Sequence, residues 1–140
     1  MKKLHVLIVA LPGAWQQVLQ KSIETCAFAN LIGCVSGSLS AIQLANRVHP
    51  DLVLIDSSIP FDDAIVLIQK LKTDIPETAS IVVADTSQQR QRLSQSGADY
   101  TVSTVHYDAH IHEILGKLGG NLLGEKSRSD ETGKTSHQAD

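Results

Sequence analysis

One stretch limits what this chain can fold into: Pro50-Asp51-Leu52-Val53-Leu54-Ile55-Asp56-Ser57-Ser58-Ile59-Pro60. Leu52 to Ile55 form an unbroken apolar run, with His49-Pro50 before it and Ser57-Ser58 after it. A short apolar run between breakers predicts a strand buried on both faces, as in a parallel sheet. It ends on a carboxylate, Asp56. In open α/β sheets, ligands and chemistry sit beyond the carboxyl ends of the strands. Asp56 is therefore a candidate functional acid. The alternative is an Asp that only caps or turns the chain.

The other segments alternate strand with helix. Leu4 to Ala10 reads as a first strand, broken by Pro12-Gly13. From Ala14 to about Ala27, the residues Trp15, Val18, Leu19, Ile23 and Cys26 recur at spacings of three and four, which predicts one apolar helical face. Asn30 fits a turn, and Leu31 to Val35 a second strand. Ser40 fits the cap of a helix carrying Ile42, Leu44, Ala45 and Val48, which Pro50 stops. After the strand ending at Asp56, Asp62 or Asp63 can cap a helix to about Thr73, with Ile65, Val66, Ile68 and Leu71 facing in. Ser80 to Ala84 is a fourth strand, and Gln88 to Ser96 a short polar helix anchored by Leu93. Gly97-Ala98-Asp99 is a turn, Tyr100 to Ser103 a fifth strand, and His106 to Leu118 a last helix.

Five strand–helix units with right-handed crossovers predict a doubly wound, flavodoxin-like (βα)5 fold, with a five-stranded parallel sheet in the order 2-1-3-4-5. The crevice of such a fold lies between strands one and three. Asp56 would stand on one side of it and Ala10-Leu11 on the other, with Asp85-Thr86 nearby. The 140 residues suffice for one domain, expected over residues 1–120. Residues 121–140 are expected to form a disordered tail. From Gly124 on, no apolar residue exceeds Ala139, too little to offset backbone ordering costs of roughly 1–2 kcal/mol per residue.

The net charge of −3 gives no basic field for nucleic acid. No apolar stretch has the length to span a bilayer, and Met1-Lys2-Lys3 leads into no signal-peptide pattern. A cytoplasmic location is expected. Cys26 and Cys34 lack CxxC and zinc spacing, so two reduced thiols are expected.

The third-strand motif, ending Asp56 with Ile59-Pro60 behind it, resembles that of response-regulator receiver domains (CheY-like). Gly97-Ala98-Asp99-Tyr100 is similar to the turn that precedes the fifth strand of that family. The resemblance covers about residues 4 to 118 and is nearest to receivers that precede a helix-turn-helix output domain. With no such domain after it, the chain would be a stand-alone receiver. The resemblance makes Asp56 the phosphoacceptor position. It also implies two acids after the first strand to hold Mg²⁺, where this chain has Ala10 and Leu11. It implies a Ser or Thr after the fourth strand, where Asp85 stands with Thr86 beside it. It implies a Lys after the fifth strand, where this chain has Ser103.

Phosphoryl transfer is mostly positioning and charge neutralisation, and Mg²⁺ needs oxygen ligands. The departures therefore predict an atypical, non-enzymatic receiver, a protein-interaction module with impaired or absent Mg²⁺-dependent phosphorylation and no cofactor. Its expected partner is a sensor histidine kinase or another signalling protein. Its expected interaction face comprises Arg90, Arg92 and Tyr100. One alternative is a working response regulator phosphorylated on Asp56, with Mg²⁺, by a histidine kinase or phosphotransfer protein. Another is a small flavodoxin-like enzyme or nucleotide-binding domain, although no phosphate-binding glycine loop is present. His106, His110 and His112 cluster on the last helix, where His106 and His110 share a face, but a solvated surface explains them better than a metal site.

Overall fold

The structure is a computed structural model and describes residues 3–105 and 107–122. The elements run β1 Leu4–Val9, α1 Ala14–Glu24, β2 Ala29–Val35, α2 Ser38–Val48, β3 Leu52–Ile55, α3 Phe61–Asp74, β4 Ala79–Ala84, α4 Ser87–Gln95, β5 Tyr100–Ser103 and α5 Tyr107–Leu122. The strands form one parallel sheet in the order β2-β1-β3-β4-β5, as the sequence predicts. Of the tail expected over 121–140, residues 121 and 122 close α5, and residues 123–140 lie outside the described residues, as does His106.

The sheet divides the core into two layers, because successive side chains of a strand point to opposite faces. On one face, Val6, Ile8, Leu52, Leu54, Ile81 and Val83 pack with Leu19 and Ile23 of α1 and Ile111 and Leu115 of α5. On the other, Leu7, Val9, Val53, Ile55 and Val82 pack with Ala41 and Ala45 of α2, Leu67, Ile68 and Leu71 of α3, and Leu93 of α4. All four β3 residues are fully buried, each large aliphatic side chain contributing about 1.5–3 kcal/mol of transfer free energy. Among the described residues no helix is long and apolar enough to cross a membrane.

Several local expectations are corrected. Asn30 lies inside β2 rather than in a turn, because β2 starts at Ala29 to pair with Leu4 of β1. Val6 pairs with Leu31 and Leu7 with Gly33, so a bulge at Ile32 interrupts that ladder. Helix α2 starts at Ser38 behind Gly37, with no side-chain cap, rather than behind Ser40. Pro60 is the N-cap of α3, which places Asp62 and Asp63 inside its first turn. Val66 is exposed, because the buried stripe of α3 is Ala64, Leu67, Ile68 and Leu71 at spacings of three, one and three. Trp15 is half-exposed on α1 and meets the Tyr107 ring edge-on, with centroids 5.1 Å apart.

The turn after α4 follows from its residues. Gly97 has φ +118°, a conformation L side chains rarely adopt. Asp99 then accepts hydrogen bonds from the Ser80 N–H at 2.9 Å and the Lys72 Nζ at 3.0 Å, joining the turn to β4 and α3. A Cβ on Gly97 would sit 3.1 Å from Lys72 Cγ as well as straining the backbone. Gly97→Ala should lower stability by about 1–2 kcal/mol, read as a lower midpoint with unchanged slope in urea unfolding.

Candidate functional site

The carboxyl end of β3 delivers Asp56 into the sheet's interior end. Its backbone N–H donates to the Val9 carbonyl at 2.9 Å, continuing the β1–β3 ladder past the last strand residue. The side chain is only 2% exposed. The chain then reverses within Ser57 and Ser58, and the Ser58 N–H donates back to Asp56 Oδ2 at 3.1 Å. This is the Asx-type turn expected where an Asp must leave a strand and enter a loop.

Across the crevice, β1 contributes no acid. Ala10 is fully buried, and its carbonyl accepts from Gln16 Nε2 at 3.1 Å. Leu11 is 44% exposed, and its N–H donates to Ser58 Oγ at 3.0 Å. A serine hydroxyl thus ties the loop after β3 to the loop after β1. The sequence places Ser58 beside Asp56, but this role depends on strands one and three being neighbours.

A cleft beside Asp56 lies on the other side, toward β4. It has a volume of about 110 Å³ and is lined by Asp56 and Ser57, by Phe61 and Ala64 of α3, by Val82 to Asp85, and by Gln89 and Leu93 of α4. Pockets for drug-sized ligands are roughly 300–1,000 Å³, so this cleft is small by comparison. Asp56 and Asp85 line the same cleft, as the strand order predicts, with Asp85 exposed at the rim.

Thr86 caps α4 instead of facing the cleft. Its Oγ1 accepts from the Gln89 N–H at 3.1 Å, which fixes Gln89 over the opening. Ser103 does not line the cleft either; its Oγ accepts from the Val105 N–H at 3.1 Å. Phe61, Gln89 and Leu93 complete the walls, and only the fold brings them together.

The expected interaction face needs one correction. Arg90 is buried, not exposed: its Nη1 donates to the Ala84 carbonyl at 3.0 Å, satisfying an acceptor at the end of β4. Arg92 is exposed, with its guanidinium 5.1 Å from the Phe61 ring centroid, a cation–π contact that holds α4 against the start of α3. Tyr100 is half-buried at the start of β5. Among the described residues no three His, Cys, Asp or Glu side chains converge as metal ligands, His110 and His112 included.

Two substitutions test this geometry. Ser58→Ala removes the hydroxyl acceptor for Leu11 and should cost about 1 kcal/mol, the usual value of one hydrogen bond. Asp56→Asn keeps an oxygen for the Ser58 N–H while removing one of the two carboxyl groups that line the cleft. It should be neutral or stabilising by up to about 1 kcal/mol. Denaturant unfolding measures both, and a marked loss in Asp56→Asn would show that the negative charge has a stabilising partner.

No family model matches the chain. In sequence it is 26% identical over 126 residues to protein-glutamate methylesterase/protein-glutamine glutaminase 3 of Shewanella oneidensis, covering 90% of this chain and 33% of that protein. It is 26% identical over 106 residues to the probable C4-dicarboxylate response regulator DctR of Priestia megaterium, covering 74% of this chain and 46% of that protein. The chain thus spans about a third of the first relative and under half of the second. Its fold matches the signal receiver domain of NarL from Mycobacterium tuberculosis with a TM-score of 0.76 at 15% identity, covering 89% of this chain and 100% of that one. The parallel 2-1-3-4-5 sheet with an acid closing β3 thus has the fold of CheY-like receiver domains, and in sequence the chain is similar to part of proteins that include a response regulator.

Proposed function

We propose that the chain works in two-component signalling as a protein-interaction module, and that Asp56 does not serve it as an Mg²⁺-dependent phosphoacceptor. The observation that carries this reading is the wall opposite Asp56. There Ala10 and Leu11 offer no carboxylate, and the Leu11 N–H is held by Ser58 Oγ. Mg²⁺ takes a near-octahedral set of oxygens at about 2.0–2.1 Å, usually with one or two carboxylates from the protein. On that side of Asp56 the residues present supply no carboxylate to complete such a set.

Electrostatics support the same reading. A phosphoryl group on Asp56 would bring added negative charge into a cleft that Asp85 shares. The Arg92 guanidinium lies on Phe61, and the Arg90 Nη1 is engaged by the Ala84 carbonyl. Transfer depends on preorganised positive charge where the phosphoryl oxygens gather, so its rate would be low.

Under this reading the partner is a sensor histidine kinase or another signalling protein. It meets the exposed part of α4 and the start of β5, with Arg92 and Tyr100 as contacts. The domain itself catalyses nothing.

Incubation with acetyl phosphate and Mg²⁺, followed by intact-protein mass spectrometry, tests the reading. No phosphoryl adduct is expected under conditions that label an ordinary receiver. An Mg²⁺-dependent adduct lost in Asp56→Asn would replace this reading with that of a working response regulator.

A further inference from the structure

Asp56 is buried, yet among the described residues no cation pairs with it. Its Oδ2 accepts the Ser58 N–H, and its Oδ1 has no hydrogen-bond or ionic partner among the described residues. Every fully enclosed side-chain nitrogen or oxygen of the described residues does have a partner, so Oδ1 opens into the cleft. Ion pairs among the described residues engage Asp51, Asp74, Glu77, Asp99 and Glu113, and neither Asp56 nor Asp85. A buried carboxylate oxygen with no counter-charge is a natural acceptor for a cationic donor, which would complete its pairing.

The walls narrow the kind of cation. Phe61 and Leu93 make one side apolar, and Gln89 adds an amide at the opening. A hydrated divalent ion keeps several waters and needs an oxygen-rich shell, which apolar walls do not supply. A guanidinium pairs best with both oxygens of one carboxylate, and Asp56 has one of its two engaged by Ser58. A primary ammonium is compact, carries three donors, and ends a methylene stem that packs on apolar surface.

We infer that the cleft takes the ammonium of a lysine side chain presented by a protein partner. The stem lies along Phe61 and Leu93, and the ammonium bridges Asp56 Oδ1, Asp85 and the Gln89 amide oxygen. This rests on the reading of Asp56 as unphosphorylated and specifies what the partner contributes. The Arg92 contact on Phe61 keeps that wall in place, so α4 and α3 shape the socket together.

The probe is Nα-acetyl-lysine amide, titrated into isotope-labelled protein while the amide resonances of Ser57, Asp85 and Gln89 are followed. Saturable shifts are expected, absent with Nα-acetyl-norleucine amide, which has a similar stem without the charge. Affinity should fall about tenfold or more in Asp56→Asn, as for loss of a charge-assisted hydrogen bond, and should also fall in the exposed variant Asp85→Asn. The inference is overturned if the lysine probe gives no saturable shift, or if binding survives the double substitution. It is equally overturned if Mg²⁺ alone produces the saturable shifts at these amides. The phosphodonor experiment reports separately, so a failed titration without a phosphoryl adduct rejects the lysine socket and leaves the proposed function standing.

Discussion

Burial of β3 on both faces is the constraint on which the rest depends. Four consecutive side chains, Leu52 to Ile55, alternate between the two layers of the core, so helices must cover both sides of the sheet. Parallel neighbours with helical crossovers satisfy that demand, and the strand order follows. The strand is only four residues long, so it stops while still deep in the molecule. The next residue inherits that depth. Asp56 is buried because the strand that carries it is central, and its chemistry is set by that depth.

The loop that leaves β3 then decides which side of Asp56 is open. The Ser58 N–H turns back on the Asp56 carboxylate and its hydroxyl reaches the Leu11 amide, placing neutral groups on the β1 side. A cleft beside Asp56 faces β4 and is finished by two helices, α3 through Phe61 and α4 through Gln89 and Leu93. The site is therefore shared between the strand edge and a pair of helices held together by a cation–π contact.

The architecture was legible because it depends on period and punctuation. Apolar runs of strand length, stripes at spacings of three and four, and breakers such as Pro50 and Gly97 are local signals, and together they dictate five strand–helix units. Legibility falls where the decisive partner is distant in sequence. Arg90 lies in a polar helix and reads as solvated, yet its guanidinium turns inward to a carbonyl at the end of β4. Val66 looks apolar enough for the core, but the phase of α3 is set by Ala64, Leu67, Ile68 and Leu71. Ser58 and Phe61 gain their places only when β1, β3 and α4 converge, and nothing in their own neighbourhoods announces it.

The sheet's two borders are managed differently, with a consequence for handling the protein at high concentration. The β5 border is only four residues long, which limits its use as a template. The β2 border runs seven residues, Ala29-Asn30-Leu31-Ile32-Gly33-Cys34-Val35, without a charge or a proline. Long uncharged borders invite strand addition by other copies, and charged gatekeepers are the usual defence. Here the defence is geometric: the bulge at Ile32 breaks the ladder midway and bends the strand. The longer border thus carries one irregular residue pairing, and a change that straightens β2 should make strand addition by other copies easier.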